Sequence, residues 1–191
     1  MLDTDRTTPI KETRKAVFLD RDGVLVREMA RDGKCYTPLA LEEMEIMPGV
    51  RQAAQILRDH GFLIFVVTNQ PDIARGKLAR AVLEEMHARL WEALGGKPVV
   101  SDIYVCPHDN QDACECRKPK PGMLLRAAAQ WNLDLGKCFF IGDHSRDMGA
   151  GRAAGCRTVL IRKDYNQGTE ADEIACDLED AVRRVMGGRS R

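Results

Sequence analysis

The sequence predicts an α/β protein: a parallel, Rossmann-like sheet covered on both faces by helices, in a single domain without a large cap. Three observations lead there. Short apolar runs alternate with helical patterns along most of the chain. The runs are continuously apolar rather than alternating, as in strands buried on both faces. Several of them stop abruptly at polar or acidic residues, and sheets of this class bind ligands beyond the carboxyl ends of their strands.

The elements follow in order. Residues 1–14 form a polar lead-in of mixed charge, expected to be disordered, before a domain over 15–187 and a short tail at 188–191. Lys15 to Leu19 is a first strand that runs into Asp20-Arg21-Asp22-Gly23. Pro48-Gly49 opens a helix with Val50, Ala53, Ala54 and Leu57 on one face, closed by Gly61. Phe62 to Val67 is a second strand, ending at Thr68-Asn69-Gln70. A long helix runs from about Leu78 to Leu94, and Gly95-Gly96 stops it. Asp102 to Val105 is a third strand, followed by a cysteine-rich loop. Pro121-Gly122 opens the next helix, Lys137 to Ile141 is a fourth strand, and Gly142-Asp143 ends it. Ser145 is the expected cap of a helix ending at Gly155. Thr158 to Ile161 is a fifth strand, and a last helix covers Leu178 to Met186.

Composition narrows the function classes. The 191 residues suffice for one real core, with 44% apolar and 30% charged residues. Basic and acidic residues balance at 29 each, so no long-range attraction to nucleic acid or anionic membrane is expected. No apolar run reaches the roughly 20 residues that span a bilayer, and the N-terminus lacks the apolar core of a secretory signal. The seven cysteines, an odd number, fit a reduced cytoplasmic protein better than a disulfide scaffold. Cys35, Cys138 and Cys156 are scattered, and Cys176 lies near the last helix.

Two constellations carry chemistry. The first strand delivers Asp20 and Asp22, and the fourth delivers Asp143. One such Asp is an ordinary turn former. Three gathered at one rim repel each other unless a cation sits among them, and an oxygen site with room for phosphate suits Mg²⁺. Thr68 can donate to a phosphate oxygen, and Lys118 can neutralise it. The second constellation is Cys106-Pro-His108, five residues, then Cys114-Glu-Cys116. Three thiolates and one imidazole complete a tetrahedral Zn²⁺ set with no open position, so the 106–116 site is structural. It directly precedes Arg117-Lys118-Pro119 and would fix the loop that presents the lysine.

Together FLDRDGVLV, VVTNQ, RKPKPGM and IGDHSRDM resemble, in order, the four motifs of the haloacid dehalogenase-like phosphatases. The resemblance spans about Ala16 to Ile161. It implies the fold of that family and a magnesium-dependent phosphomonoester hydrolase. Asp20 would be the nucleophile, giving an aspartyl-phosphate, and Asp22 the general acid and base. Asp20 and Asp143 would bind magnesium through carboxylates, Asp22 through its carbonyl, with Asp147 in an outer role. Thr68 and Lys118 would hold the phosphoryl group.

The zinc loop further resembles two groups in the family, the heptose bisphosphate phosphatases and the histidinol-phosphate phosphatases. The stretches Ile73 to Lys77 and Lys120 to Leu125 favour the heptose group, and the short interval between His108 and Cys114 the histidinol group. Two departures from the heptose pattern, Pro71-Asp72 after the Thr-Asn-Gln and His144 after Asp143, would face the sugar. Substrate contacts are expected from Asn69, Gln70, Arg117, Lys118, Tyr36 and His144, with weaker claims for Arg75 and Lys77. Only about 25 residues separate the first strand from its helix, too few for a cap domain, and Arg27 to Pro38 would lie over the site. The expected partner is a small phosphorylated sugar, without nucleic acid or membrane, and the chain is expected to act as a monomer. A non-catalytic, zinc-stabilised binding module is the alternative from another class; the set of Asp20, Asp22, Thr68, Lys118 and Asp143 argues against it.

Overall fold

The structure, a computed structural model, describes residues 13–31 and 34–187. Strand β1 (Ala16–Leu19) leads into a hairpin of β2 (Met29–Arg31) and β3 (Lys34–Tyr36). Helix α1 (Val50–Asp59), β4 (Leu63–Asn69), α2 (Arg80–Ala93) and β5 (Asp102–Cys106) follow. Helix α3 (Gly122–Trp131), β6 (Phe139–Gly142), α4 (Ser145–Ala154), β7 (Arg157–Ile161), β8 (Glu173–Ala175) and α5 (Leu178–Val185) complete the order.

Six strands form one parallel sheet in the order β5-β4-β1-β6-β7-β8. The α/β expectation is met. Successive side chains point to opposite faces of a strand. Val17 and Leu19 of β1, with Ile64 and Val66 of β4, therefore join α1, α2 and α5 in one core. Ala16 and Phe18, with Phe65 and Val67, join α3 and α4 in the other. Two covered faces are why these strands read as continuous apolar runs. From β1 the chain builds outward to β4 and β5, then returns to the other side of β1 and builds outward through β6 to β8. The direction of winding reverses between β1 and β6, which is where ligands bind in such sheets. Asp20 and Asp143 stand at those two strand ends.

Several boundaries differ from the sequence expectations. Strand β4 does not stop at Val67, because Thr68 and Asn69 pair with Val105 and Cys106 of β5. The fourth strand starts two residues late, since Leu135–Lys137 wind into a 3-10 turn before Phe139. Helix α4 is capped by His144 rather than Ser145; its imidazole accepts from Arg146 N, and Asp147 Oδ2 accepts from His144 N. Strand β8 was not anticipated. Its apolar run is only an exposed Ile174 and a buried Ala175 after a half-buried Glu173, and it exists because β7 offers it an open edge. Arg14, placed in the lead-in by its sequence, bridges to Leu133 and donates to Asn132 O at 3.0 Å. Residues 1–12 and 188–191 lie outside the described residues. The hairpin falls within the Arg27 to Pro38 segment, with Met29–Arg31 paired antiparallel to Lys34–Tyr36. Among the described residues no helix is long and apolar enough to cross a membrane.

Candidate active site

The turn after β1 is built by its own backbone. Arg21 O accepts from Leu25 N and Val26 N, each at 2.8 Å, and Gly23 N donates to Val26 O at 2.8 Å. Val24, Leu25 and Val26 sink into the core below, so the turn is rigid. Gly23 has φ of 80°, and a Cβ there would stand 1.8 Å from Asp143 Oδ2. Only glycine lets the β1 and β6 ends come this close.

Four carboxylates meet at this rim, and all are buried: Asp20, Asp22, Asp143 and Asp147. Two cations are buried with them, Arg21 and Lys118. Lys118 Nζ lies 2.7 Å from Asp20 Oδ1 and 2.7 Å from Asp147 Oδ1, and donates to Val67 O at 3.0 Å. Burial works against its ammonium, but Asp147 and Asp20 outweigh burial and raise its pKa. The carboxylates are not correspondingly quieted. Burial, then the charge of Asp147, pushes Asp20 up to about 6 in spite of Lys118. Burial, then Asp20, pushes Asp143 up to about 8. With all four carboxylates ionised, the cluster would be short of two positive charges, and the raised values of Asp20 and Asp143 reflect that excess of negative charge.

A divalent cation fits that deficit. Carboxylate oxygens of Asp20, Asp143 and Asp147 all lie within 4.8 Å of one another. Asp147 Oδ1 is buried and accepts no conventional hydrogen bond beside its ion contact with Lys118. Hard oxygen donors on a partly filled site suit Mg²⁺. Asp147 stands inside this cluster, closer than the outer role expected from sequence. The Asp22 carboxylate instead faces Arg21, Gln70 and Thr68: Gln70 Nε2 donates to Asp22 Oδ2 at 2.8 Å and to Thr68 Oγ1 at 2.8 Å.

The cysteine loop closes on itself. Cys106, His108, Cys114 and Cys116 bring their donor atoms to 3.2–3.7 Å contacts. Bonds of about 2.3 Å to sulfur and about 2.0 Å to nitrogen in a tetrahedron require edges near these lengths, so the set fits Zn²⁺. Burial raises the Cys114 thiol, but hydrogen bonds from Cys116 and the Arg117 N–H overturn it and bring it down to about 7. Cys106 ends β5 beside Asn69 and accepts from Gln70 N at 2.7 Å, so the loop is sewn to the end of β4. Helix α3 packs against its far side, where a Cβ on Gly122 would lie 2.2 Å from Glu115 O.

The expected substrate residues divide. Gln70 is buried within the carboxylate cluster. Asn69 is spent on the Lys118 backbone, donating to its carbonyl and accepting from its N–H, both at 3.1 Å. Arg117 donates to Asn110 Oδ1 at 2.8 Å and to His108 O at 3.2 Å, which braces the loop. Arg75 is held by Asp109 through two 2.8 Å bonds. Tyr36 is exposed on β3, and His144 caps α4. Two residues escaped the sequence argument. The Tyr165 hydroxyl donates to Asp143 Oδ2 and lies 3.1 Å from Glu28 Oε2, and Asn166 Nδ2 donates to Asp143 O at 2.8 Å. Both follow the end of β7, so the strand-end rule applied to the fifth strand points to them.

The comparisons with known proteins decide the family. The model of the haloacid dehalogenase-like hydrolases matches residues 30–155. This chain belongs to that family. Among relatives of this haloacid dehalogenase-like hydrolase, the D-glycero-β-D-manno-heptose-1,7-bisphosphate 7-phosphatase of Pseudomonas aeruginosa is 41% identical over 153 residues. That alignment covers 78% of this chain and 82% of the relative. The enzyme of the same name from Pseudomonas putida is 39% identical over 181 residues, 90% of this chain and 99% of the relative. A crystal structure of the D,D-heptose 1,7-bisphosphate phosphatase of B. bronchiseptica, complexed with magnesium and phosphate, superposes with a TM-score of 0.79. Its sequence is 30% identical, and the match covers 93% of this chain and all of that one. The protein is a phosphatase of the haloacid dehalogenase-like hydrolases.

Proposed function

We propose that this phosphatase removes the 7-phosphate of D-glycero-D-manno-heptose 1,7-bisphosphate in the cytoplasm, with Mg²⁺ at the carboxylates and Zn²⁺ in the 106–116 loop. The carrying observation is the 2.7 Å contact of Lys118 Nζ with Asp20 Oδ1 inside a buried cluster that, with all four carboxylates ionised, would be short of two positive charges. The relatives named above support the sugar.

Asp20 attacks phosphorus through a carboxylate oxygen. Its Oδ1 is fixed by Lys118 and by the Arg21 N–H at 2.7 Å, which leaves the nucleophile one direction to face. The bond from phosphorus to the sugar oxygen breaks, and that oxygen takes its proton from Asp22. An aspartyl-phosphate remains on Asp20. Water then attacks the same phosphorus and gives a proton to Asp22, the bond to Asp20 breaks, and inorganic phosphate leaves. Thr68 offers its hydroxyl to a phosphoryl oxygen and Lys118, its N–H groups taken by Asp20, Asp147 and Val67 O, offers its charge, since phosphoryl transfer rests on positioning and charge neutralisation. Asp20, Asp143, Asp147 and the Asp22 carbonyl would hold magnesium, which supplies charge for the phosphate oxygens when bound. The zinc loop acts through structure, by anchoring the segment that carries Lys118.

Turnover measured on heptose bisphosphate, histidinol phosphate and a panel of phosphosugars tests this, with Asp20→Asn as the blank. Heptose bisphosphate is expected to lead by kcat/KM. Preference for histidinol phosphate would reverse the substrate, and release no faster than the blank on every ester would sink the catalytic reading.

A further inference from the structure

Arg21 is among the largest fully buried side chains of the molecule, at 1% exposure. Burying a guanidinium is costly unless its fork is matched by a partner. Here the partner is the neighbouring Asp22. Arg21 Nε lies 3.0 Å from Asp22 Oδ1 and 3.1 Å from Oδ2, and Nη2 lies 2.9 Å from Oδ1. Gln70 grips the same carboxylate from the other side. The third edge of the guanidinium meets His87 of α2, with Nη1 3.5 Å from Nε2. Arginine has no acceptor, so a hydrogen bond here needs the lone pair that a neutral imidazole carries on Nε2. Burial, followed by the charge of Arg21, agrees by pushing His87 down to about 4.

The arrangement does more than satisfy a buried cation. A planar fork fixes the plane of the carboxylate it binds, not only its distance. The same residue donates its backbone N–H to Asp20 Oδ1. One residue thus sets the nucleophile with its main chain and grips the next carboxylate with its side chain. We propose that Arg21, steadied by the His87 ring, is a positioning residue that fixes the plane of the Asp22 carboxyl for proton transfer to the leaving oxygen and meets the carboxylate left once the proton has gone. This rests on Asp22 as the general acid.

A general acid matters most for poor leaving groups. The test is therefore the dependence of kcat/KM on leaving group across p-nitrophenyl, phenyl and p-methoxyphenyl phosphate. It is measured with magnesium- and zinc-loaded wild type, Arg21→Met, Arg21→Lys, His87→Gln and Asp22→Asn. Losing the general acid should cost the poor esters about 10²-fold more than the nitrophenyl ester, so Asp22→Asn steepens the dependence. Arg21→Met is expected to steepen it in the same sense, Arg21→Lys to restore it only in part, and His87→Gln to steepen it slightly. If Arg21→Met does not fold, His87→Gln decides, because it leaves Arg21 and Asp22 in place. Equal losses on all three esters in the Arg21 and His87 variants would overturn the inference while leaving Asp22 its role. An unchanged slope in Asp22→Asn would overturn the general-acid role, and the inference with it.

Discussion

Asn69 binds the backbone of Lys118 as a neighbouring strand would, giving its Nδ2–H to the carbonyl and taking the N–H on its Oδ1, both at 3.1 Å. The pair ties the end of β4 to a segment 49 residues away that would otherwise hang from the cysteine loop. A side chain expected to touch substrate thus holds the residue proposed to bind phosphate.

Asn69→Ala should therefore lower stability by about 1–3 kcal/mol, the usual cost of stranding such groups, and lower kcat more than KM. Thermal unfolding and steady-state kinetics on one substrate check both. A variant with wild-type kcat would show that Lys118 does not depend on this clamp.

Gly23→Ala should abolish magnesium-dependent turnover. Its Cβ would sit 1.8 Å from Asp143 Oδ2, and the residue must also hold φ of 80°. Gly49→Ala is the control, since Gly49 has φ of 77° with nothing within 4 Å of an added Cβ. The control should cost only the left-handed backbone term, about 1–2 kcal/mol, and keep its activity. Magnesium titration of both variants by calorimetry separates the two effects.

Zinc removal should loosen the Lys118 segment without dismantling the sheet. One zinc per chain is expected by elemental analysis, and Cys114→Ser should lower both zinc content and activity. Cys138→Ser is the comparison: Cys138 lies buried in the core under α3 and α4, where its thiol is raised to about 11, so that change should cost stability and leave zinc bound. Full zinc content in Cys114→Ser would remove Cys114 from the ligand set.

Magnesium-free protein should lose stability as pH rises. Asp20 and Asp143 have folded pKa values of about 6 and about 8, both above the ordinary 3.8. Stability contributed by such groups is full below the unfolded value and is lost as pH climbs through the folded one. Melting temperature should thus fall between about pH 4 and about pH 8, most steeply below pH 6 where both groups contribute, and added magnesium should restore it. Asp143→Asn, which removes the higher of the two titrations, should flatten the curve. A fall that persists unchanged in Asp143→Asn would place its origin elsewhere.

The sequence by itself determined the class of sheet, because strands buried on two faces must be apolar at every position, as in Ala16 to Leu19 and Ile64 to Val67. It also marked Asp20, Asp22, Thr68, Lys118 and Asp143, and the four cysteine-loop donors, as candidates, because their types and spacing are local. It could not show contacts made across the chain. That Asp147 enters the carboxylate cluster, that Asn69 holds Lys118, and that His87 meets Arg21 depend on where the helices dock on the sheet. Strand β8 and the Tyr165 contact to Asp143 likewise arise from edges and ends that only the packed sheet creates. Hydrogen bonds and ion pairs act within a few ångströms, and only tertiary packing brings residues distant in sequence within that range.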